Sequence, residues 1–296
     1  DYASCCTIRI GDSIDSWAEA DKAILKHTTA SAGVGIDIAD IASIGDLVKN
    51  GLIKHSGKIP IIKSCDTTIG KASQNGRRGS GTIFLNAYDP EIEDIFGLKS
   101  PRTAVEKRVN DLSYGIKLNQ FIYDRARENK PLSLFSVRNS PLLNSLFYGK
   151  DQDAFIKEYE KLESEEKFTS QINAKDFIKM FATEKAETSS YYVVNIDEVN
   201  TNTPYEEEIS QANICVEFMK PTMPLSSDKP DSPDIGICVL GNVNQSEVSI
   251  EQLPFYTRLL VEMQTMLALR QNHPTSQANS FVRNYRDIGI GLSNQA

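Results

Sequence analysis

The chain has 296 residues, 40% of them hydrophobic, and a formal net charge of −8. That is enough apolar material for one large core or two small ones. The acidic balance argues against general nucleic-acid or anionic-membrane binding, and no stretch approaches the roughly 20 consecutive apolar residues of a membrane helix. There are five cysteines, Cys5, Cys6, Cys65, Cys215 and Cys238, and three histidines. No C-x-x-C pair is present, so no metal site is expected. The start "DYASCCTIRIGD" has no basic n-region or hydrophobic signal core and lacks an initiator Met, which reads as a processed or truncated beginning. A sparse, odd cysteine count without a secretory signal places the chain in a reducing, cytoplasmic setting.

In chain order, residues 2–10 read as a strand. "SIDSWAEADKAILKHTTAS" follows with helical apolar spacing and Ser13 or Asp15 as N-cap. "AGVGIDI" is strand-like, residues 60–73 helical, and "GTIFLNAY" a strand. "SYGIKLNQFIYDRAREN" runs from a short strand into a helix, and "LSLFS" is another strand. "DAFIKEYEKLESEE" and "AKDFIKMFATEKAE" are amphipathic helices. "YYVVNID", "SQANICVEFMKPT" and "DIGICVLGNV" read as strands, and "SIEQLPFYTRLLVEMQTMLALRQN" as a long helix with Pro254 in its first turn. Residues 74–81 and 220–234 read as surface loops. The alternation predicts α/β architecture with largely parallel strands, and a closed barrel is consistent with polar residues on several of them. No internal repeat or composition shift divides residues 1–296, which read as a single region.

Side chains alternate faces along a strand. In the stretch 210–222 this puts Asn213, Cys215 and Glu217 on one face and Ile214, Val216 and Phe218 on the other. An amide, a thiol and a carboxylate on a face that should hold core are costly unless paired or used. Cys6, Ile8 and Ile10 share one face of the first strand, and Cys5, Thr7 and Arg9 the other. In "DIGICVLGNV", Gly236, Cys238 and Leu240 oppose Ile237 and Val239. Adjacent Cys5 and Cys6 are poor disulfide partners, whereas Cys5 with Cys238 needs only that their strands meet. Two thiols can deliver two electrons by closing to a disulfide. A third thiol beside a carboxylate and an amide suggests that a substrate hydroxyl is being worked on. The alternative is that some of these cysteines are small core hydrophobes, as Cys65 on its helix reads.

The segments "ASCCTIRIGDSIDS", "SAGVGIDIADIASIG", "ASQNGRRGSGT", "ANICVEFMKPT", "GICVLGNVN" and "RDIGIGLSNQA" occur in the order and near the spacing of a known family. The chain resembles the large catalytic subunit of class I ribonucleotide reductase over essentially its whole length. The resemblance implies part of a ten-stranded α/β barrel, namely the first half-barrel of largely parallel strands with covering helices. It implies that Cys215 becomes a transient thiyl radical abstracting the ribose 3′ hydrogen, that Glu217 is the base on the 3′ hydroxyl, and that Asn213 holds a substrate hydroxyl. Cys5 and Cys238 then match the pair that reduces the radical intermediate and ends as a disulfide. Ser4, Ala32 and Gly33 match substrate-contacting positions. Gln74 and Arg78 match the loop relaying effector identity, and Asp12 matches the specificity-effector site. Where the family often has two effector-phosphate arginines, this chain has Ala42 and Lys49, so weakened effector control is expected.

The resemblance further implies ribonucleoside diphosphate substrates and nucleoside triphosphate effectors. It implies no cofactor bound by this chain, the radical coming from a metal-containing small subunit. Further partners are a thioredoxin- or glutaredoxin-type reductant, a second copy of the catalytic subunit, and the remaining half of the barrel, which carries the substrate phosphate loop and tyrosine relay. The chain is expected to be a fragment or one piece of a split enzyme. A diverged, non-catalytic nucleotide- or subunit-binding module is the competing reading. Retention of Asn213, Cys215, Glu217, Cys5 and Cys238 favours the enzyme.

Overall fold

A computed structural model describes residues 3–74 and 76–294, apart from the side chains of Ser4 and Ser73. Its central sheet has seven strands: β1 (Ala3–Arg9), β2 (Gly33–Asp37), β3 (Gly81–Asn86), β4 (Leu112–Leu118), β5 (Tyr191–Asn195), β6 (Gly236–Asn244) and β7 (Ile288–Ser293). Their spatial order is β5-β4-β3-β2-β1-β6-β7. β1 to β5 are parallel, each laid beside its predecessor. β6 pairs antiparallel with β1, and β7 runs parallel to β6. Successive parallel strands added in one direction require crossovers on one side, which is how a barrel wall winds rather than a doubly wound sheet. The expected half-barrel is therefore present as five parallel strands, accompanied by two running the opposite way.

The crossovers are helical. Ile14–Thr29 connects β1 to β2 and is capped by Ser13, whose side chain accepts the Ser16 N–H at 3.1 Å. Ile59–Lys71 leads to β3, Gln120–Arg127 and Ala174–Thr188 lie between β4 and β5, and Leu253–Arg270 and Ser276–Tyr285 join β6 to β7. Pro254 falls in the first turn of its helix, where a missing N–H costs nothing. "LSLFS" is a strand, but it pairs with Ser170–Asn173 in a separate two-stranded ribbon.

The two faces of the sheet differ in kind. A row running Ile8, Ile36, Ile83, Tyr114, Tyr191 is in register across β1 to β5 and fully buried under the helices. The neighbouring row on the concave face reads Thr7, Gly35, Thr82, small residues throughout. That row leaves room for the segment 210–222, and here the sequence reading is corrected: the segment is not a strand. Only Gln211–Ala212 and Met219–Lys220 pair, as a short antiparallel ribbon, and residues 213–218 form the loop of a hairpin lying across the concave face.

The stems of this hairpin are anchored by one buried and one half-buried cation. Lys117, fully buried on β4, donates to both oxygens of Asp37 at 2.9 and 2.8 Å, to the Tyr148 hydroxyl, and to the Ser210 carbonyl at 3.1 Å. Arg9 pairs with Asp40 at 2.6 Å and donates to Ser210 Oγ and the Thr222 carbonyl. Buried charges persist only when paired and hydrogen-bonded in this way.

Candidate active site

The loop forms because Asn213 satisfies backbone groups that a strand would have paired elsewhere. Its N–H donates to the Phe218 carbonyl at 2.9 Å, its Oδ1 accepts the Phe218 N–H at 3.0 Å, and its carbonyl accepts the Val216 N–H at 3.2 Å. An asparagine side chain competing for local backbone is the usual reason that alternation fails. Val216 takes φ +68°, a left-handed conformation disfavoured for a β-branched residue and tolerated where surroundings over-determine the backbone. Thr82 Oγ1 donates to the Ile214 carbonyl at 2.7 Å, fixing the loop to the sheet.

The loop nevertheless brings Asn213 and Glu217 together, beside Cys5 of β1, and carries Cys215 between them in the chain. Asn213 is fully buried, and its Nδ2 donates to Glu217 Oε1 at 2.6 Å. The Cys5 thiol lies 3.9 Å from the same carboxylate oxygen. Cys5 and Cys238 are direct cross-strand partners between β1 and β6, beside a register shift at Ala3 to Cys5. Both are buried thiols. The Cys238 thiol is pushed well up by its hydrogen bond with Cys5 and by burial. Cys215 is exposed on the loop, yet partial desolvation of its sulfur, then the Glu217 carboxylate and Cys5, raise its thiol above the ordinary range. A nucleophilic cysteine needs the opposite shift. The upward shifts at Cys215 and Cys238 favour the protonated thiol over the thiolate, which suits hydrogen-atom and two-electron chemistry.

An open cavity of about 600 Å³ adjoins this cluster, lined by Glu217, Phe218, Leu240 and the neighbouring paired residues of β6 and β7. On the other flank Gly33 is the register partner of Cys5 and lies under Ile214, next to the buried Ala32. The side chain of Ser4 lies outside the described residues. Cys6 and Cys65 face the core, where burial pushes both thiols up. Among the described residues no group of His, Cys, Asp and Glu could hold a metal ion, and no helix is long and apolar enough to cross a membrane.

The expected effector residues sit apart from this loop. Asp12 accepts the Ala42 N–H at 3.2 Å and the Arg138 guanidinium at 3.1 Å. Lys49 is exposed in the turn of the Leu47–Val48/Ile53–Lys54 hairpin. Gln74 donates to the Thr28 carbonyl, and Arg78 is held by Asp66 and Asp111 at 2.8 and 2.7 Å. Arg138 was missed in the sequence because a lone arginine in "SVRNS" carries no periodic signal. Lys117 and Lys220 were missed because each lies among strand residues and its partner is remote in the chain.

The ribonucleotide reductase barrel-domain family model matches residues 3–296. The alpha subunit of ribonucleoside-diphosphate reductase from Haemophilus influenzae is 30% identical over 301 residues, covering all of this chain and 40% of that protein. The Enterobacteria phage T4 alpha subunit is 31% identical over 308 residues, again covering the whole chain and 40% of the relative. The alpha subunit of ribonucleoside-diphosphate reductase 1 from Escherichia coli is 33% identical over 230 residues, or 76% of this chain and 30% of its own length. The chain thus spans about two fifths or less of these relatives. With a family match running through β1, β6 and the hairpin that assemble the thiol–carboxylate–amide cluster, this chain belongs to the ribonucleotide reductase barrel-domain family.

Proposed function

We propose that the chain is the thiol-bearing part of a ribonucleoside-diphosphate reductase alpha subunit. The observation that carries this reading is one carboxylate oxygen of Glu217 meeting the Asn213 amide and the Cys5 thiol, with Cys238 directly across the sheet. Cys215, as a thiyl radical, takes the 3′ hydrogen of the ribose. Glu217 accepts the 3′ hydroxyl proton, and Asn213 orients that carboxylate. The 2′ hydroxyl leaves as water. Cys5 and Cys238 supply two electrons and two protons, closing to a disulfide, and Cys215 returns a hydrogen atom to the 3′ carbon. The radical comes from a metal-containing small subunit, and a thioredoxin- or glutaredoxin-type dithiol reopens the disulfide. The working unit includes the remaining barrel half and a second catalytic subunit, in the cytoplasm. Deoxynucleoside triphosphates act through the Asp12, Lys49, Gln74 and Arg78 region, with Arg138 contributing a guanidinium beside Asp12 in place of the residue at Ala42.

The test uses the full alpha subunit with its radical partner. Cys215→Ser abolishes turnover. Glu217→Gln keeps the acceptor but cannot take a proton, so kcat falls about 10²–10⁴-fold while substrate Kd stays within a few-fold. Equal losses in binding and turnover, or an active Cys215→Ser enzyme, would support a non-catalytic nucleotide-binding module instead.

A further inference from the structure

Next to Cys238 lies an ionic cluster that the chemistry above does not use. Lys220, the last paired residue of the hairpin, is 6% exposed, and its Nζ lies 2.5 Å from Asp287 Oδ2. Tyr205 donates to Asp287 Oδ1 at 2.8 Å and also touches Lys220 Nζ. The ammonium sits over the rings of Phe218 and Tyr205, 4.4 and 4.5 Å from their centroids. Its place relative to the dithiol follows from register. A methyl group on Gly236 would lie 3.2 Å from Lys220 Cβ and Cγ, so the lysine stem crosses β6 on the face that Gly236 shares with Cys238. Val239 pairs with Ile288, which sets Asp287 level with Cys238 on the neighbouring strand. A buried lysine is costly, and a hairpin stem could have been closed by an apolar residue.

We propose that Lys220 is the charge partner of the Cys5–Cys238 couple, a positioning residue that holds the sulfur of Cys238 as a leaving thiolate when the disulfide is reduced. The inference rests on the redox role of the pair proposed above. In the step, a thiolate of a dithiol reductant bonds to Cys5 Sγ. The Cys5–Cys238 bond breaks, and its electron pair goes to Cys238 Sγ, held by the Lys220 ammonium until it takes a proton from water. The second thiol of the reductant then displaces Cys5, which is likewise protonated, and the reductant ends as a disulfide. A leaving thiolate of lower basicity leaves faster. The charged and titratable groups around Cys238 are Cys5 on β1, Glu217 and Lys220 on the hairpin, and Asp287 at the head of β7. Tyr205, stacked edge-on against Tyr285, completes the surroundings of Lys220. Of the groups that bear on Cys238, Lys220 draws its thiol down, against Cys5 and Glu217, which raise it. Burial lowers Lys220 itself below the ordinary lysine value.

The test oxidises the full protein, confirms a Cys5–Cys238 disulfide by mass spectrometry, and follows its reduction by dithiothreitol between pH 7 and 11. Lys220→Met slows reduction roughly tenfold at pH 7, and the gap to wild type closes at high pH as the ammonium loses its proton. Lys220→Arg stays fast across the range, because guanidinium does not titrate there. Tyr205→Phe, which removes a contact but no charge, stays close to wild type. A ratio between Lys220→Met and wild type that is constant with pH, or Tyr205→Phe as slow as Lys220→Met, would make the cluster a mechanical tether and overturn the inference. If Lys220→Met does not fold, the comparison of Lys220→Arg with wild type above pH 10 decides alone: equal rates there overturn it. A protein that forms no Cys5–Cys238 disulfide overturns the redox reading itself, and this inference with it.

Discussion

Single residues in this molecule are held in protonation states that their burial dictates. His27, on the first crossover helix, is 1% exposed, and its Nε2 lies 3.0 Å from Thr275 Oγ1. Burial, then His273 and Lys26, push it down from 6.5 to about 3. A base depressed in the folded state binds its proton in the unfolded chain first, so stability is intact above the ordinary histidine value and falls as the pH drops from 6.5 toward 3. The slope approaches about 1.4 kcal/mol per pH unit well below the unfolded value. Unfolding measured at pH 7 and pH 5 should show a loss of about 2 kcal/mol from this histidine. His27→Gln should remove that part of the loss. An unchanged pH dependence in the variant would mean that His27 takes up a proton without unfolding. Such a group was not legible in the sequence, where His27 reads as one polar residue near the end of an amphipathic helix.

Among the elements, the hairpin shows where sequence periodicity informs and where it misleads. Alternation separates Cys5 from Cys6 and Cys238 from Ile237, because from Cys5 onward β1 stays in register with β2 and β6, with backbone groups paired on the ladder. The same rule applied to 213–218 fails, since Asn213 closes a turn on itself and Phe218, although Asn213 and Glu217 still meet across that turn. Periodicity cannot see that competition; only the partner backbone can. The hairpin also depends on space across the sheet. A methyl on Gly35 would lie 2.3 Å from the Ala212 carbonyl oxygen and 2.9 Å from Asn213 Cα, both backbone atoms that cannot rotate away. Gly35→Ala should therefore lift the hairpin while β2 stays in the sheet. The expected stability cost is about 1–3 kcal/mol, against a fall in turnover of about 100-fold or more, because displacing reacting groups by about 1 Å has that effect. Urea unfolding and kcat measured on one preparation check this. A variant that loses stability as stated but keeps full activity would show that the loop re-seats.

At the scale of the whole molecule, the sheet is open, and its openness has a consequence in solution. Among the described residues, β5 and β7 are each paired along one side only, since they end the strand order. An unpaired edge is a template for another strand. The helix Leu253–Arg270, which packs on β6 and β7, adds a second unsatisfied surface. Phe255, Leu259, Met263 and Met266 are 65, 42, 52 and 49% exposed, and their spacing of four, four and three residues aligns them in one stripe. The buried side of the same helix is held by Gln264, which donates to the Val239 and Gly289 carbonyls, so the apolar stripe faces outward by construction. A contiguous apolar stripe beside an open strand edge is an association surface. This chain by itself should self-associate at micromolar concentration, and Met263→Lys with Leu259→Lys should shift the distribution toward monomer without lowering the unfolding midpoint, because neither side chain is buried. Sedimentation velocity across a concentration series reads both effects. A monodisperse monomer for the parent chain would show that the stripe and the edges are covered from within, and the openness of the sheet would then have no bearing on assembly.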